Sequence, residues 1–476
     1  MTGKSVWIDG MFKNLYIKTY GCQMNVYDSD RIRDLLKPLN YQLTDDPAQA
    51  DLSILNTCHI REKAEQKVYS DLGRLRQHQT NRRQQGDEML IAVGGCVAQA
   101  EGEEILRQAP YVSMVFGPQT YHRLPEMIAQ MTRQKDARKG RGAGRGIVDT
   151  DFPVESKFDS LPTPQSSSVS AFLSIQEGCD KFCTFCVVPY TRGTEYSRPA
   201  GDILLEARRL VELGAKEITL LGQNVNAYHG QAPHLSSHGD QEWGLGRLLH
   251  ELATIDGLHR LRYMTSHPRD MDQDLIDAHG QIPQLMPFLH LPVQSGSDAL
   301  LKTMNRKHTA KDYLDIIDRL RKARSDIAFS SDFIIGFPGE TQQDHQATLD
   351  LIRQVDFAQA YSFKYSVRPG TPAGSMDGQV AETLKTERLY ETQDLLKEQQ
   401  WAFNKAKVGT VQSVLFDRIG KVPGQILGKT PYMQSVPLEA PKRLLGCLTD
   451  VLIKEAYANS MMGIILDSLE SISVAA

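Results

Sequence analysis

The chain has 476 residues, of which 41% are hydrophobic and 24% charged, and its net charge is −4. These values are average for globular proteins and exclude wholesale disorder and fibrous repeats. No apolar stretch reaches the roughly 18 residues that cross a membrane, and the amino end lacks the apolar run of a signal peptide. We therefore expect a cytoplasmic protein without membrane contact and, at roughly 150 residues per domain, about three domains.

Three short apolar runs in the first hundred residues each end at a cysteine, namely Cys22, Cys58 and Cys96. Each run has the length of a β-strand and precedes a helix-like segment. The three helix-like segments are 30–38, 61–77 and 101–108. This alternation predicts a parallel sheet, and the loops after parallel strands meet at one edge of the sheet. We therefore expect the three cysteines to converge on one site that holds a cluster through three thiolates.

Two segments of the amino-terminal third are rich in basic residues, which can attract a polyanion even when the net charge is negative. The first contains Arg74, Arg76, Arg82 and Arg83; the second contains Arg133, Lys135, Arg138, Lys139, Arg141 and Arg145. The second segment is also rich in glycine, so a solvated linker explains it equally well.

Three further cysteines lie close together in a C-x3-C-x2-C run formed by Cys179, Cys183 and Cys186. A structural zinc site needs four ligands, and no fourth Cys or His follows within thirty residues. Three thiolates instead fit a cubane iron–sulfur cluster with one iron left open for a small molecule. Phe182 and Phe185 lie between these cysteines and would shield the cluster from water. The alternative is three buried cysteines that act as small hydrophobic residues.

The middle of the chain alternates strand-like runs with amphipathic helices. The strand-like runs are 172–176, 217–222, 258–265, 288–293, 328–335 and 360–365, and the helices include 202–213, 298–304, 311–323 and 345–355. Six strands joined by crossover helices predict a partial (βα)6 barrel with its active site at the carboxyl-terminal rim. Glycine-rich or polar sequences end four of these strands and indicate a small-molecule pocket, although each glycine alone is typical of an ordinary turn.

The last part of the chain, from about residue 400, consists of short alternating runs separated by turn residues. These runs are 408–417, 424–436, 445–457 and 461–466. They predict a small antiparallel β barrel or sandwich. The seventh cysteine, Cys447, is predicted to be a buried strand residue of this domain.

Four motifs carry a resemblance to a known family. They are TYGCQMN at 19–25, NTCHIREKAEQK at 56–67, GCVAQ at 95–99 and VVPYTRGTEYSR at 187–198. The sequence resembles the radical S-adenosylmethionine (SAM) superfamily and, within it, the MiaB-type tRNA methylthiotransferases. The resemblance covers nearly the whole chain and implies an amino-terminal parallel, doubly wound α/β domain (13–131), a linker (132–164), a radical SAM partial barrel (165–397) and a small antiparallel TRAM-like β domain (400–468).

Enzymes of this family convert N6-isopentenyladenosine at position 37 of tRNA, next to the anticodon, into its 2-methylthio derivative. The resemblance implies two [4Fe-4S] clusters. Cys179, Cys183 and Cys186 would hold the one that cleaves SAM to a 5′-deoxyadenosyl radical, and Cys22, Cys58 and Cys96 would hold an auxiliary cluster that donates sulfur. It also implies a second SAM as methyl donor. Candidate SAM contacts at the rim are Gly222, Gln294, Gly336 and Tyr365.

The implied partners are a tRNA that carries isopentenyladenosine and a low-potential electron donor of the flavodoxin or ferredoxin type, and we expect a monomer. Candidate phosphate contacts are Arg192, Arg198 and the basic segment near Arg74–Arg83, with ordinary surface or ion-paired arginines as the equal alternative for each. Other substrates within the family are threonylcarbamoyladenosine in tRNA and an aspartate of a ribosomal protein. A two-cluster electron carrier and a zinc-stabilised RNA-binding protein are the alternatives from other functional classes.

Overall fold

The computed structural model describes residues 12–58, 64–136, 146–153, 156–233, 241–368 and 370–466. The chain divides into two compact units. The first contains Met1–Gln165 with Val187–Gly193, and the second contains Ser166–Cys186 with Thr194–Ala476. Within the described residues, no helix has the length and apolar composition needed to cross a membrane.

The first unit is built on a six-stranded sheet in which every neighbouring pair is parallel. Its strands are β1 (Lys13–Thr19), β2 (Tyr41–Leu43), β3 (Leu52–Thr57), β4 (Leu90–Gly95), β5 (Met114–Phe116) and β6 (Ile147–Asp149). They lie in the order β2-β1-β3-β4-β5-β6, which is a doubly wound order. The predicted fold class of this region is confirmed.

Helices cover both faces of this sheet. They are α1 (Gln23–Leu36), α2 (Ala64–Gln84), α3 (Cys96–Glu101), α4 (Glu103–Gln108), α5 (Leu124–Asp136), α6 (Lys157–Ser160) and α7 (Val188–Arg192). Successive residues of β3 point to opposite faces, because Ile54 packs in the core with α1 and α5 while Leu55 packs in the core with α2. Burial on both faces explains why the central strands are continuous apolar runs.

The second unit contains the six parallel strands predicted for a partial barrel. They are β7 (Ser170–Ser174), β10 (Glu217–Leu221), β13 (Arg260–Tyr263), β14 (Phe288–His290), β15 (Ala328–Ile335) and β16 (Gln359–Lys364). They form two three-stranded parallel sheets, β13-β10-β7 and β14-β15-β16. An isolated parallel bridge links Leu261 of β13 to Leu285, which precedes β14. Short antiparallel pairs add β8 (Gln176–Glu177) with β9 (Tyr196–Ser197) and β11 (His229–Gln231) with β12 (Glu242–Gly244).

Seven helices of the described residues pack around this barrel. They are α8 (Ala200–Glu212), α9 (Leu245–Ala253), α10 (Gln273–Gln281), α11 (Asp298–Thr303), α12 (Ala310–Ala323), α13 (Gln342–Val355) and α14 (Glu382–Lys405). Capping boxes at Thr309 and Thr341 begin α12 and α13. These caps fix the starts of both helices because each satisfies two otherwise unpaired donors. The 24-residue helix α14 was not predicted from the sequence.

A five-stranded antiparallel sheet forms the carboxyl-terminal part of the second unit. Its strands are β17 (Val411–Ile419), β18 (Gln425–Lys429), β19 (Ser435–Glu439), β20 (Leu448–Ala456) and β21 (Met461–Ile465). They lie in the order β19-β18-β17-β20-β21, and a bridge between Ser435 and Ser460 joins the two edges, as expected for a near-closed barrel. The predicted β domain is confirmed.

Two predictions for this domain were wrong in detail. The run 424–436 is two strands, because Met433 adopts a left-handed φ of 68° and the Thr430 hydroxyl accepts hydrogen bonds from two turn amides. Cys447 is exposed and precedes β20 rather than lying buried within a strand. The cause is a turn at Gly446, whose φ of 82° interrupts the apolar run.

Candidate metal centres

The first cysteine triplet lies at the carboxyl ends of three neighbouring strands of the first unit. Cys22 caps the amino end of α1 after β1, Cys58 follows β3, and Cys96 is the first residue of α3 after β4. Cys58 hydrogen-bonds to Cys22, and the pKa of Cys96 responds to the charge of Cys22. The structure therefore brings together three thiols that are far apart in the sequence.

Two glycines make this convergence possible. Gly21 and Gly95 have left-handed φ angles of 88° and 90°. A Cβ atom at Gly21 would lie 2.5 Å from Cys58 Sγ, and one at Gly95 would lie 2.3 Å from the carbonyl oxygen of Thr57. Only glycine combines such backbone angles with so close an approach of neighbouring chain.

A buried polar network surrounds these thiols. The Arg192 guanidinium donates to Asn25 Oδ1 at 3.1 Å and to Asp28 Oδ2 at 2.9 Å, and it also hydrogen-bonds to Cys96. Lys157 Nζ lies 3.6 Å from the other carboxylate oxygen of Asp28. Arg192 is therefore a buried, ion-paired side chain, and its interpretation as a phosphate contact is wrong.

The surroundings set the protonation of this triplet. The hydrogen bond from Cys58 lowers the pKa of Cys22 to about 6 against the opposing effect of burial, and the charge of Arg192 acts in the same direction. Burial raises the pKa of Cys96, and Arg192 opposes this rise. Because metals bind the thiolate form, an Arg-assisted thiolate matches the needs of a metal ligand.

The second triplet lies on a single loop of the second unit, directly after β8. Asn305 Nδ2 donates to the carbonyls of Lys181 and Phe182 at 3.1 and 3.0 Å. The Cys186 amide donates to the Cys183 carbonyl at 2.9 Å. The Asn305 side chain and a backbone hydrogen bond thus hold the loop that carries the three cysteines.

Two positively charged side chains lie on or beside this loop. Arg306 Nη1 donates to Cys183 Sγ at 3.6 Å. Lys181 forms an ion pair with Asp270 at 2.7 Å. Burial raises the pKa of the Cys179 thiol to about 11, so this ligand needs a bound metal or a nearby cation to ionise.

The two aromatic residues of the loop differ in environment. Phe185 packs against a buried apolar cluster that contains Phe337 and Tyr365. Phe182 has a left-handed φ of 48° and is half exposed. Only Phe185 is placed within the hydrophobic interior beneath the loop.

The four candidate SAM contacts all follow strands of the partial barrel. A Cβ atom at Gly222 would lie 2.5 Å from Gln176 Oε1, and one at Gly336 would lie 2.3 Å from Lys385 Cγ. Packing against protein side chains therefore accounts for both glycines. Gln294 has a left-handed φ of 76°. The buried Tyr365 hydroxyl has no hydrogen-bond partner among the described residues.

Sequence reasoning missed a group of polar residues in the second unit. Asn224 Oδ1, Arg306 Nε, His267 Nε2 and His308 Nε2 are buried atoms that lack partners within the described part of the chain. The rings of His267 and His308 meet edge to face at 5.5 Å. Burial lowers the pKa of both histidines, to about 4 for His308. These residues are scattered in the sequence, so no spacing pattern indicated them.

The donor atoms of both triplets are thiols. In the described ranges, no group of three or more His, Cys, Asp or Glu side chains could hold one metal ion. The thiolates of a cubane cluster bind different irons, so they stand further apart than the ligands of a single ion. Thiolates are the donors by which proteins hold such clusters.

The basic residues differ in exposure and in ion pairing. On α2, Arg74, Arg76 and Arg83 are exposed, and Arg74 pairs with Asp71 at 3.1 Å. Arg82 is less exposed and pairs with Asp51 at 2.7 Å. Arg198 is buried and pairs with Glu206 at 2.7 Å, so it is not a surface phosphate contact. In the second segment Arg133 is exposed, while Arg138, Lys139, Arg141, Arg145 and the side chain of Lys135 lie outside the described residues.

Family models match three parts of the chain. Uncharacterized protein family UPF0004 matches residues 14–117, the Radical SAM superfamily matches 173–352, and the TRAM domain matches 405–466. The chain is 55% identical over 460 residues to the tRNA-2-methylthio-N(6)-dimethylallyladenosine synthase of Maricaulis maris (strain MCS10), which covers 96% of this chain and 98% of that protein.

Two solved structures share the fold at low sequence identity. One is the radical SAM methyltransferase TsrM from Kitasatospora setae with tryptophan and the SAM analogue aza-SAM bound, with a TM-score of 0.53 and 15% identity over 76% of this chain and 75% of that one. The other is the cobalamin-dependent SAM radical enzyme OxsB, with a TM-score of 0.51 and 12% identity over 81% of this chain and 56% of that one.

Proposed function

The chain belongs to the family of tRNA-2-methylthio-N6-dimethylallyladenosine synthases, and from this membership we propose that it adds a methylthio group to C2 of N6-isopentenyladenosine at position 37 of tRNA. One observation carries the proposal, namely that the likeness to a synthase of this name runs through nearly the whole length of both proteins. Both cysteine triplets lie within this likeness, and each has a donor set suited to a cluster.

Membership of the radical SAM superfamily implies SAM and one [4Fe-4S] cluster. We propose that Cys179, Cys183 and Cys186 hold this cluster and that Cys22, Cys58 and Cys96 hold a second, auxiliary cluster. When bound, SAM and the clusters supply the radical chemistry and the sulfur that an unactivated C2–H bond requires, since no side-chain base removes that proton at neutral pH. The protein holds these groups, orients them and excludes water.

The chain's own residues support these tasks in different ways. Arg192 stabilises thiolates of the first triplet. The side-chain amide of Asn305 holds the loop of the second triplet through two hydrogen bonds. For SAM we propose contacts at Gly222, Gln294, Gly336 and Tyr365. The unpartnered hydroxyl of Tyr365 is the best support for this set, because a buried hydroxyl without a partner is costly unless a ligand satisfies it.

The proposed substrate is the unstacked base of a tRNA anticodon loop. Enzymes that act on a base take it out of the stack, and single-stranded loops are read by stacking and edge contacts. The exposed Arg74, Arg76 and Arg83 on α2 remain candidates for phosphate contacts. We further propose a flavodoxin- or ferredoxin-like electron donor and a monomeric enzyme.

The substrate is tested by mass spectrometry of tRNA nucleosides from a strain that lacks the gene. We expect 2-methylthio-isopentenyladenosine to disappear, isopentenyladenosine to accumulate, and the wild-type gene to restore the modification. Loss of a methylthio group from threonylcarbamoyladenosine or from a ribosomal-protein aspartate, with 2-methylthio-isopentenyladenosine unchanged, would overturn the proposal.

The two clusters are tested by the iron and sulfide content of anaerobically reconstituted protein. Changing Cys179, Cys183 and Cys186 together to alanine should remove about half of the iron, and changing the other triplet should remove the other half. Cys447→Ser is the matched control, because Cys447 is an exposed cysteine outside both triplets. Full iron content in either triple variant would contradict the ligand assignment.

A further inference from the structure

The buried guanidinium of Arg306 lies beside the second cysteine triplet and has no carboxylate partner among the described residues. Arg306 is 5% exposed, and Nη1 donates to Cys183 Sγ at 3.6 Å. Nη2 donates to the carbonyl of Pro292, while Nε has no partner within the described residues. None of the Asp or Glu side chains that the structure describes forms an ion pair with it. A buried charge is very unfavourable unless an opposite charge compensates it.

The neighbouring lysine and histidine side chains do not balance the positive charge of Arg306 either. Lys181 is neutralised by Asp270 at 2.7 Å. His267 and His308 are buried, and burial together with the positive charge of Arg306 lowers the pKa of both rings, so they are neutral at pH 7. Asp298 and Asp312 act on His308 by charge, but neither forms an ion pair with Arg306 among the described residues. The group beside the guanidinium is therefore Cys183 Sγ, with whatever that sulfur binds.

The backbone around Arg306 is built to hold this position. Asn305 and Lys307, on either side of it, both have left-handed φ angles, 61° and 59°. Such angles are uncommon for residues other than glycine and concentrate at functional sites. Asn305 also fixes the cysteine loop through the carbonyls of Lys181 and Phe182. The same strained turn therefore holds the loop backbone and directs the guanidinium to a cysteine.

The corresponding arginine of the first unit provides a contrast. Arg192 also hydrogen-bonds to a cysteine of a triplet, but Asp28 neutralises it at 2.9 Å. A carboxylate partner offsets part of an arginine's charge, so in a low-dielectric interior an arginine without one changes the local potential more strongly. We propose that Arg306 is a positioning residue whose uncompensated charge stabilises the negative charge of the reduced [4Fe-4S] cluster on Cys179, Cys183 and Cys186, and thereby raises its reduction potential.

This inference rests on the proposed function, because it requires a cluster on the second triplet. The step concerned is the uptake of one electron by that cluster from a low-potential donor; no bond forms or breaks at Arg306. The added negative charge lies next to the guanidinium, so the reduced form gains more from the interaction than the oxidised form. Removing the positive charge should therefore make reduction harder.

The test is a redox titration followed by electron paramagnetic resonance, without added SAM, on the full chain with Cys22, Cys58 and Cys96 changed to alanine. This background leaves one cluster to observe. For Arg306→Gln we expect the ratio of reduced to oxidised cluster at the wild-type midpoint to fall at least tenfold, which is about 59 mV for a one-electron couple. Arg306→Lys should retain most of the ratio, because it keeps the charge.

Arg353→Gln is the matched control, because Arg353 is an exposed arginine of the same unit that pairs only at the surface of α13. Should Arg306→Gln lose the cluster, Arg306→Met replaces it in the comparison with Arg306→Lys. Loss of the cluster in both neutral variants with retention in the lysine variant supports the charge role. Equal midpoints, or equal losses of cluster, in the lysine and neutral variants overturn it. Absence of any cluster in the parent protein would instead refute the proposed function.

Discussion

Glu217 connects the barrel to the carboxyl-terminal β domain within the second unit, and its replacement gives a quantitative prediction. This fully buried carboxylate accepts from Arg262 Nε at 2.8 Å and from Ser170 Oγ at 2.6 Å, and Arg260 Nη1 lies 3.8 Å away. Both arginines also donate to backbone carbonyls of the β domain, among them those of Ser413 and Pro431. We expect Glu217→Gln to weaken this whole network.

The magnitude follows from the pKa of the carboxyl. Burial alone would raise it, but the charge of Arg262 and the hydrogen bonds from Ser170 and Arg262 lower the pKa from 4.5 to about 2. At about 1.36 kcal/mol for each tenfold change in proton affinity, this corresponds to about 3 kcal/mol of stability at pH 7. It agrees with the 3–5 kcal/mol roughly expected when one partner of a buried pair is removed.

The depressed pKa also determines how the stabilisation by Glu217 changes with pH. Because the folded pKa is depressed, the stabilisation is present above about pH 4.5 and is lost as the pH falls towards 2. Wild type and Glu217→Gln should therefore differ by about 3 kcal/mol at pH 7 and by only about 1 kcal/mol at pH 3. Urea unfolding followed by tryptophan fluorescence measures this, since Trp243 and Trp401 both lie in the second unit.

Glu212→Gln is the control, because Glu212 makes an exposed pair with Arg209 on α8. It should change the free energy of unfolding by less than about 1 kcal/mol at either pH. A loss below about 1 kcal/mol for Glu217→Gln at pH 7 would refute the reasoning. A loss that is the same at pH 7 and pH 3 would refute it as well.

Three further predictions concern single residues of the two sites. Arg192→Met leaves Asp28 without its closest partner and should cost about 3 kcal/mol in thermal or urea unfolding; unchanged stability would contradict the buried ion pair. Gly95→Ala should lower the melting temperature and the iron content far more than Gly86→Ala, which has the same φ but open space at Cβ; equal effects would show that backbone strain alone matters. Tyr365→Phe should leave the melting temperature unchanged and weaken SAM binding several-fold in calorimetry, because only an unpartnered hydroxyl is lost; unchanged affinity would remove Tyr365 from the SAM site.

The convergence of Cys22, Cys58 and Cys96 could be predicted because it depends on topology alone. Parallel strands end at one edge of a sheet, so three strand-terminal cysteines share that edge whatever the details of packing. The burial and ion pairing of Arg192 and Arg198 could not be predicted in the same way. Asp28, the partner of Arg192, is 164 residues away in the sequence, so whether this arginine faces solvent or a carboxylate is decided by tertiary structure.

Helix α14 was missed for a different physical reason. Its buried face is mostly polar, and it includes Lys385, Arg388, Thr392 and Gln399 as well as Leu396. Sequence reasoning locates helices by apolar residues at helical spacing, and this face gives no such signal. Lys385, Arg388 and Gln399 instead all donate to buried acceptors, although Arg388 Nε has no partner among the described residues. Buried polar side chains of this kind are stabilised mainly by such hydrogen bonds.

The packing of α14 also explains a glycine at the end of a barrel strand without any bound ligand. Lys385 occupies the space that a side chain at Gly336 would need and donates to the carbonyl of Tyr365. Arg388 pairs with Glu340, which in turn accepts from the Gly336 amide. A glycine at the end of a barrel strand is therefore required here by helix packing, whether or not a ligand approaches. Replacing Gly336 would disturb α14 as well as any bound SAM. Tyr365, whose hydroxyl has no hydrogen-bond partner in the described part of the chain, is therefore the position that separates ligand binding from packing.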